Sequence, residues 1–93
     1  NIINWLVPNS QKNIMEPIII ELLPNGTSYV DTPHEGEEFG YVLSGNISVF
    51  VGSKEYKAKK NECFYYKANQ PHFIKNRGKS KATVLWVCTP PNF

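Results

Sequence analysis

Hydrophobic and polar positions along this chain alternate in short runs rather than in long amphipathic turns. Eight stretches, residues 2–7, 16–23, 39–43, 47–51, 54–58, 63–66, 72–75 and 83–88, are rich in β-branched and aromatic residues and have strand length. None sustains the roughly 3.6-residue period of a helix. Between them lie turn formers at regular intervals: Pro24-Asn25-Gly26, Glu35-Gly36, Ser44-Gly45-Asn46, Gly52-Ser53, Asn69-Gln70-Pro71 and Asn76-Arg77-Gly78. Tight hairpins are expected at Ser44-Gly45-Asn46 and at Gly52-Ser53. Many short strands with tight connections predict an all-β barrel or sandwich.

At 93 residues the chain has room for one core and therefore one domain. Its hydrophobic fraction of 41% is enough to fill that core, which separates it from disordered sequences. A net charge of +2 is too weak to mark a nucleic-acid surface. The basic positions Lys75, Arg77, Lys79 and Lys81 read instead as the decoration of a hairpin loop. No apolar run approaches the ~18 residues of a membrane span. Cys63 and Cys88 sit in apolar stretches without CxxC spacing, as buried reduced thiols of a cytoplasmic protein do. Most of the aromatics, among them Trp5, Phe39, Tyr41, Phe64 and Trp86, are expected in the core or at a subunit contact.

The chemistry-bearing residues gather around the two histidines. His34 is followed by Gly36, which lets the chain bend and bring the Glu38 carboxylate back beside the imidazole. Around the second histidine, period two puts His72, Ile74 and Asn76 on one face of a strand. Glu35 and Glu37, beside them, read as solvated loop positions. Phosphate-cradling loops, nucleophile elbows and Ser-His-Asp patterns are absent.

The stretches from His34 through Glu38 to Gly45 and from His72 to Asn76 resemble the two motifs of the cupin family, a double-stranded β-helix of the jelly-roll barrel type. The resemblance implies that His34, Glu38 and His72 point into the barrel mouth as ligands of a divalent metal, whether iron, manganese, nickel or zinc. It departs from the family at Thr32, which stands where the first histidine is usual, and at Asn61, Lys67 and Asn69 in the second motif. A neutral hydroxyl is a poor substitute for imidazole nitrogen, so these changes weaken enzymatic competence. His34, Glu38, His72, Asn76 and Tyr66 are the expected ligand-binding residues, although the sequence does not fix which of Phe64, Tyr65 and Tyr66 faces inward.

Residues 36–45 and the Thr89-Pro90-Pro91-Asn92-Phe93 ending further resemble the C-terminal cupin sensor domain of bacterial helix-turn-helix regulators of the xenobiotic-response-element type. That resemblance implies that residues 1–93 are the C-terminal part of a longer cytoplasmic regulator whose DNA-binding domain precedes Asn1. Its partners would be a small-molecule effector and a second copy in a homodimer, with DNA contacted only through the separate N-terminal domain. The alternative is a small metal-dependent cupin enzyme of the isomerase or dioxygenase type, built on His34, Glu38 and His72. A third reading is a dimerisation module using the apolar terminal strand with Ile2, Ile3, Trp5 and Leu6.

Overall fold

A computed structural model describes residues 1–8, 12–91 and 93. Asn92, within the C-terminal signature, lies outside them. The described residues form eight strands: β1 (Ile2–Trp5), β2 (Glu16–Leu22), β3 (Glu37–Ser44), β4 (Asn46–Val51), β5 (Lys54–Lys59), β6 (Cys63–Lys67), β7 (His72–Asn76) and β8 (Ala82–Thr89). One sheet has the order β1-β2-β8-β3-β6 and the other β5-β4-β7, with every pairing antiparallel. Together they make the double-stranded β-helix. No α-helix occurs among the described residues, and so no helix among them is long and apolar enough to cross a membrane.

Period-two alternation decides what faces inward. On β2, Ile18, Ile20 and Leu22 are buried, and on β8 Ala82, Val84, Trp86 and Cys88 are. Ile47 and Val49 of β4 and Ile74 of β7 reach the same core from the opposite sheet. Each such large aliphatic side chain contributes about 1.5–3 kcal/mol by leaving water, so this shared core holds the two sheets together.

Two of the three expected hairpins, at Gly45 and at Gly78, are not hairpins. Gly52-Ser53 does reverse the chain, with Val51 opposite Lys54. At Gly45, however, the chain passes from one sheet to the other, since β3 pairs with β6 and β8 while β4 pairs with β5 and β7. Gly45 has φ 88°, and a Cβ there would meet Ala82 at 2.8 Å, so the corner depends on glycine. The basic stretch around Gly78 likewise links β7 to β8 across the sheets, because those strands also belong to different sheets. There Arg77 pairs with Glu55 and Lys81 with Glu21.

The cysteines also divide. Cys88 is buried, whereas Cys63 is exposed, because the alternation that turns Phe64 and Tyr66 inward on β6 turns Cys63 outward. Trp5, Phe39, Tyr56 and Tyr65 remain substantially exposed, leaving Phe64, Tyr66 and Trp86 as the aromatic core.

Candidate functional site

Glu38 is the hub of the site. On β3 it shares the inward face with Gly40 and Val42, so the alternation that buries an aliphatic residue at 42 buries a carboxylate at 38. Its cross-strand neighbours are Tyr66 on β6 and Cys88 on β8. Both side chains point at it: the Tyr66 hydroxyl donates to Glu38 Oε1 at 2.5 Å, and the Cys88 thiol lies 3.4 Å from Oε2.

The histidines approach the same oxygen from outside β3. His72 Nε2, carried by β7 of the facing sheet, lies 2.8 Å from Glu38 Oε2, and His34 Nε2 lies 3.1 Å from it. Gly36 makes the second approach possible: it has φ 118°, and its missing side chain leaves room for the carbonyl of Thr89. The two imidazole centroids are 5.3 Å apart. Asp31 joins from the segment before His34, with Oδ2 3.5 Å from His72 Nε2 and a pair of backbone hydrogen bonds to the same residue.

Tautomers make this cluster electrostatically demanding. His34 Nδ1 faces the carbonyl of Glu35 at 2.9 Å and His72 Nδ1 faces that of Gln70 at 2.8 Å. A carbonyl only accepts, so each Nδ1 carries a proton and each Nε2 either carries a second one or aims a lone pair at a carboxylate oxygen. A proton or a metal ion is therefore needed between these nitrogens and the carboxylate.

The charge shifts agree. Burial pushes His72 down, but its hydrogen bond to Glu38, the Gln70 carbonyl and the neighbouring carboxylates more than reverse this, and His72 is held above its ordinary range. Burial likewise opposes ionisation of Glu38, yet hydrogen bonds from His72 and Tyr66 hold it below the ordinary carboxylate range. Burial raises Asp31. Burial and the Glu38 charge raise both Tyr66 and Cys88.

Beside the cluster opens a cleft of about 600 Å³. Ile18, Ile20 and Trp86 form its floor, Trp5, Tyr29 and Phe93 its rim, and Asp31 lines it while also touching the cluster. The buried Glu16 fastens two of the rim residues, taking the Trp5 indole N–H at 3.0 Å and the Phe93 backbone N–H at 2.7 Å. Phe93 in turn packs edge-on against Trp86, with centroids 4.9 Å apart.

Of the expected ligand residues, His34, Glu38, His72 and Tyr66 come together. Asn76 is on the same face of β7 as His72, but four residues of strand carry it about 13 Å away. There its Nδ2 donates to the carbonyls of Leu22 and Ser80 and its Oδ1 accepts from Gly78 N–H, so it ties the β7–β8 connection and stays out of the cluster. Thr32 is exposed. Asp31, one residue earlier, reaches the cluster instead, with its Oδ2 3.5 Å from His72 Nε2. Asp31 and Cys88 are the members that sequence reasoning missed. The alternation of β8 did put Cys88 inward, whereas Asp31 belongs to a segment held by isolated bridges, where no strand period could be read.

The sequence profile of the cupin domain matches residues 18–88. The chain belongs to the cupin family. Among curated proteins this cupin domain is similar to the HTH-type transcriptional regulator PuuR of Escherichia coli (strain K12), with 27% identity over 89 residues that cover 95% of this chain and 48% of the relative. It thus spans about half the length of the curated relatives it matches. Among solved structures it resembles the Cupin_2 domain of an XRE family transcriptional regulator from Enterobacter cloacae, with TM-score 0.83, 19% identity, and coverage of 98% of this chain and 97% of that one. A predicted oxalate decarboxylase from Thermotoga maritima has the same fold, with TM-score 0.78 and 19% identity over 90% of this chain and 74% of that one.

A divalent metal, which the cupin fold implies, fits the donor set. Metal-bound histidines usually donate their other ring N–H to a carbonyl or carboxylate, and both imidazoles do so here. The potential donor atoms fall into two groups that share Glu38: one with His34 and Cys88, the other with Asp31 and His72, each group having its atoms within 4.8 Å of one another.

Proposed function

We propose that this cupin domain is the effector-sensing part of a helix-turn-helix transcription regulator and holds a small molecule in the cleft beside Glu38. The observation that carries the reading is the position of Asp31, which lines the cleft and stands 3.5 Å from His72. A ligand entering there exchanges cleft water for the walls of Trp5, Trp86 and Phe93, and its polar end meets a buried network whose charge state it can change. The similarity to PuuR over nearly the whole chain supports the regulator context.

Glu38, His34 and His72 would hold a divalent cation of the iron, manganese, nickel or zinc group. When bound, such a cation would offer an open coordination position to an oxygen or nitrogen of the effector. Around it Tyr66 fixes the free oxygen of Glu38, and the Glu35 and Gln70 carbonyls keep both Nε2 atoms directed inward.

In this reading the protein works in the cytoplasm as a homodimer and reaches DNA through a separate domain. Strand β1 is an edge strand with Ile2 and Trp5 exposed and Leu6 exposed just after it, and a second copy covering this edge would remove that apolar surface from water. Effector binding would then alter the geometry of the pair and of the attached DNA-binding domains.

Calorimetric titration with a panel of cellular metabolites tests the reading. A stoichiometric binder is expected, and His72→Ala should abolish its binding while circular dichroism stays that of a β-barrel. Undiminished affinity in His72→Ala would place the effector elsewhere.

A further inference from the structure

The two potential metal groups sharing Glu38 differ in chemistry. Asp31, Glu38 and His72 offer two oxygens and one nitrogen, a set suited to hard cations. His34, Glu38 and Cys88 offer a nitrogen, an oxygen and a sulfur. Sulfur inside this barrel needs an explanation, because the other inward positions of β8 carry Ala82, Val84 and Trp86, while Cys88 stands directly opposite the Glu38 carboxylate.

We propose that Cys88 is a metal ligand, binding as thiolate with His34 and Glu38 in the position given to His72 above, and that the site therefore takes a borderline-soft divalent cation such as zinc or cobalt(II) in preference to manganese. This rests on the metal-binding part of the proposed function.

The spacing supports it. Zinc bonds of ~2.0–2.3 Å in a tetrahedral shell place neighbouring donor atoms ~3.3–3.8 Å apart. His34 Nε2 lies 3.1 Å and Cys88 Sγ 3.4 Å from Glu38 Oε2, so a cation enters with small movements of three side chains. The thiol divides its hydrogen-bonding between that carboxylate and the Pro90 carbonyl at 3.1 Å, two acceptors that hold the sulfur beside Glu38. The cation takes the place of the thiol proton, which is released to solvent as the sulfur–metal bond forms. His34 meanwhile keeps its Nδ1 proton on the Glu35 carbonyl and binds through Nε2. Asp31 is left facing the cleft, free to meet the effector.

Cobalt(II) titration of the metal-free chain reads the sulfur directly. The expected result is a sulfur-to-cobalt charge-transfer band in the near ultraviolet together with visible d–d bands. Cys88→Ser should lose the ultraviolet band and keep the visible ones, and Cys63→Ser, at the exposed cysteine, should keep both. Visible bands without the ultraviolet band, or an ultraviolet band that survives Cys88→Ser, would overturn the assignment while leaving metal binding intact. Absence of cobalt uptake would overturn the metal reading and this inference together, and effector calorimetry would still judge the sensor reading. Should Cys88→Ser fail to fold, X-ray absorption of the zinc-loaded wild type decides: a sulfur neighbour at ~2.3 Å is expected, and a shell of nitrogen and oxygen alone at ~2.0–2.1 Å would refute it.

Discussion

His72 Nε2 lies 2.8 Å from Glu38 Oε2, and neither side chain is exposed to solvent. The contact joins the two sheets, because His72 belongs to β7 of the three-stranded sheet and Glu38 to β3 of the five-stranded one. An opposite-charge pair in this position makes folding depend on pH from both sides.

His72 is held above its ordinary value of 6.5, so its contribution is complete below that value and is withdrawn as pH rises through the raised one. Glu38 is held below its ordinary 4.5, so its contribution is complete above that value and is lost as pH falls through the lowered one. Thermal unfolding of the metal-free chain should therefore be most favourable to the fold between these limits and decline on both sides. Each kcal/mol lost lowers Tm by roughly 4–8 °C in a domain of this size. Glu38→Gln should flatten both limbs; limbs unchanged in that variant would mean that other groups carry the dependence.

Asp31 behaves in the opposite sense. Burial raises it, so its ionised form opposes folding at neutral pH, and Asp31→Asn relieves that opposition while removing a carboxylate from the cleft. The variant is expected to melt at or above the wild-type temperature at pH 7 and to bind the effector at least about tenfold more weakly, a loss of about 1.4 kcal/mol. Unchanged affinity would remove Asp31 from the site.

Gly36 sets the approach of His34 to Glu38. With φ 118°, and with an added Cβ only 1.7 Å from the Thr89 carbonyl oxygen, Gly36→Ala forces a backbone shift at the start of β3. Strain of this kind costs on the order of 1–3 kcal/mol. Urea unfolding should show a loss of at least that size, and a change below about 0.5 kcal/mol would show that the turn relaxes freely.

Much of this was legible in the sequence because alternation is local. Each of the eight strands was foreseeable from its own residues, and the inward turn of Glu38 and His72 follows from the aliphatic positions Val42 and Ile74 on the same faces. What alternation does not specify is which strand lies beside which. The Gly45 corner resembled a hairpin because a positive-φ glycine serves either purpose, and the difference lies in pairings with β6 and β8 far along the chain. Tyr66 could not be separated from Tyr65 for the same reason: its role depends on the register that sets it opposite Glu38. Asp31 was hidden further, since its place comes from a single bridge to His72 rather than from any strand. Cys88 was foreseeable as buried, and only the cross-strand register reveals that its neighbour is a carboxylate.

The chain has two histidines, and both belong to the Glu38 cluster, so its imidazole signals report on the site alone. Nitrogen-15 spectra of the histidine rings, recorded while a stoichiometric effector is added, measure the central claim most directly. Shifts of the His34 and His72 ring signals that saturate together with binding are predicted. Saturable binding that leaves both imidazoles unmoved would contradict it.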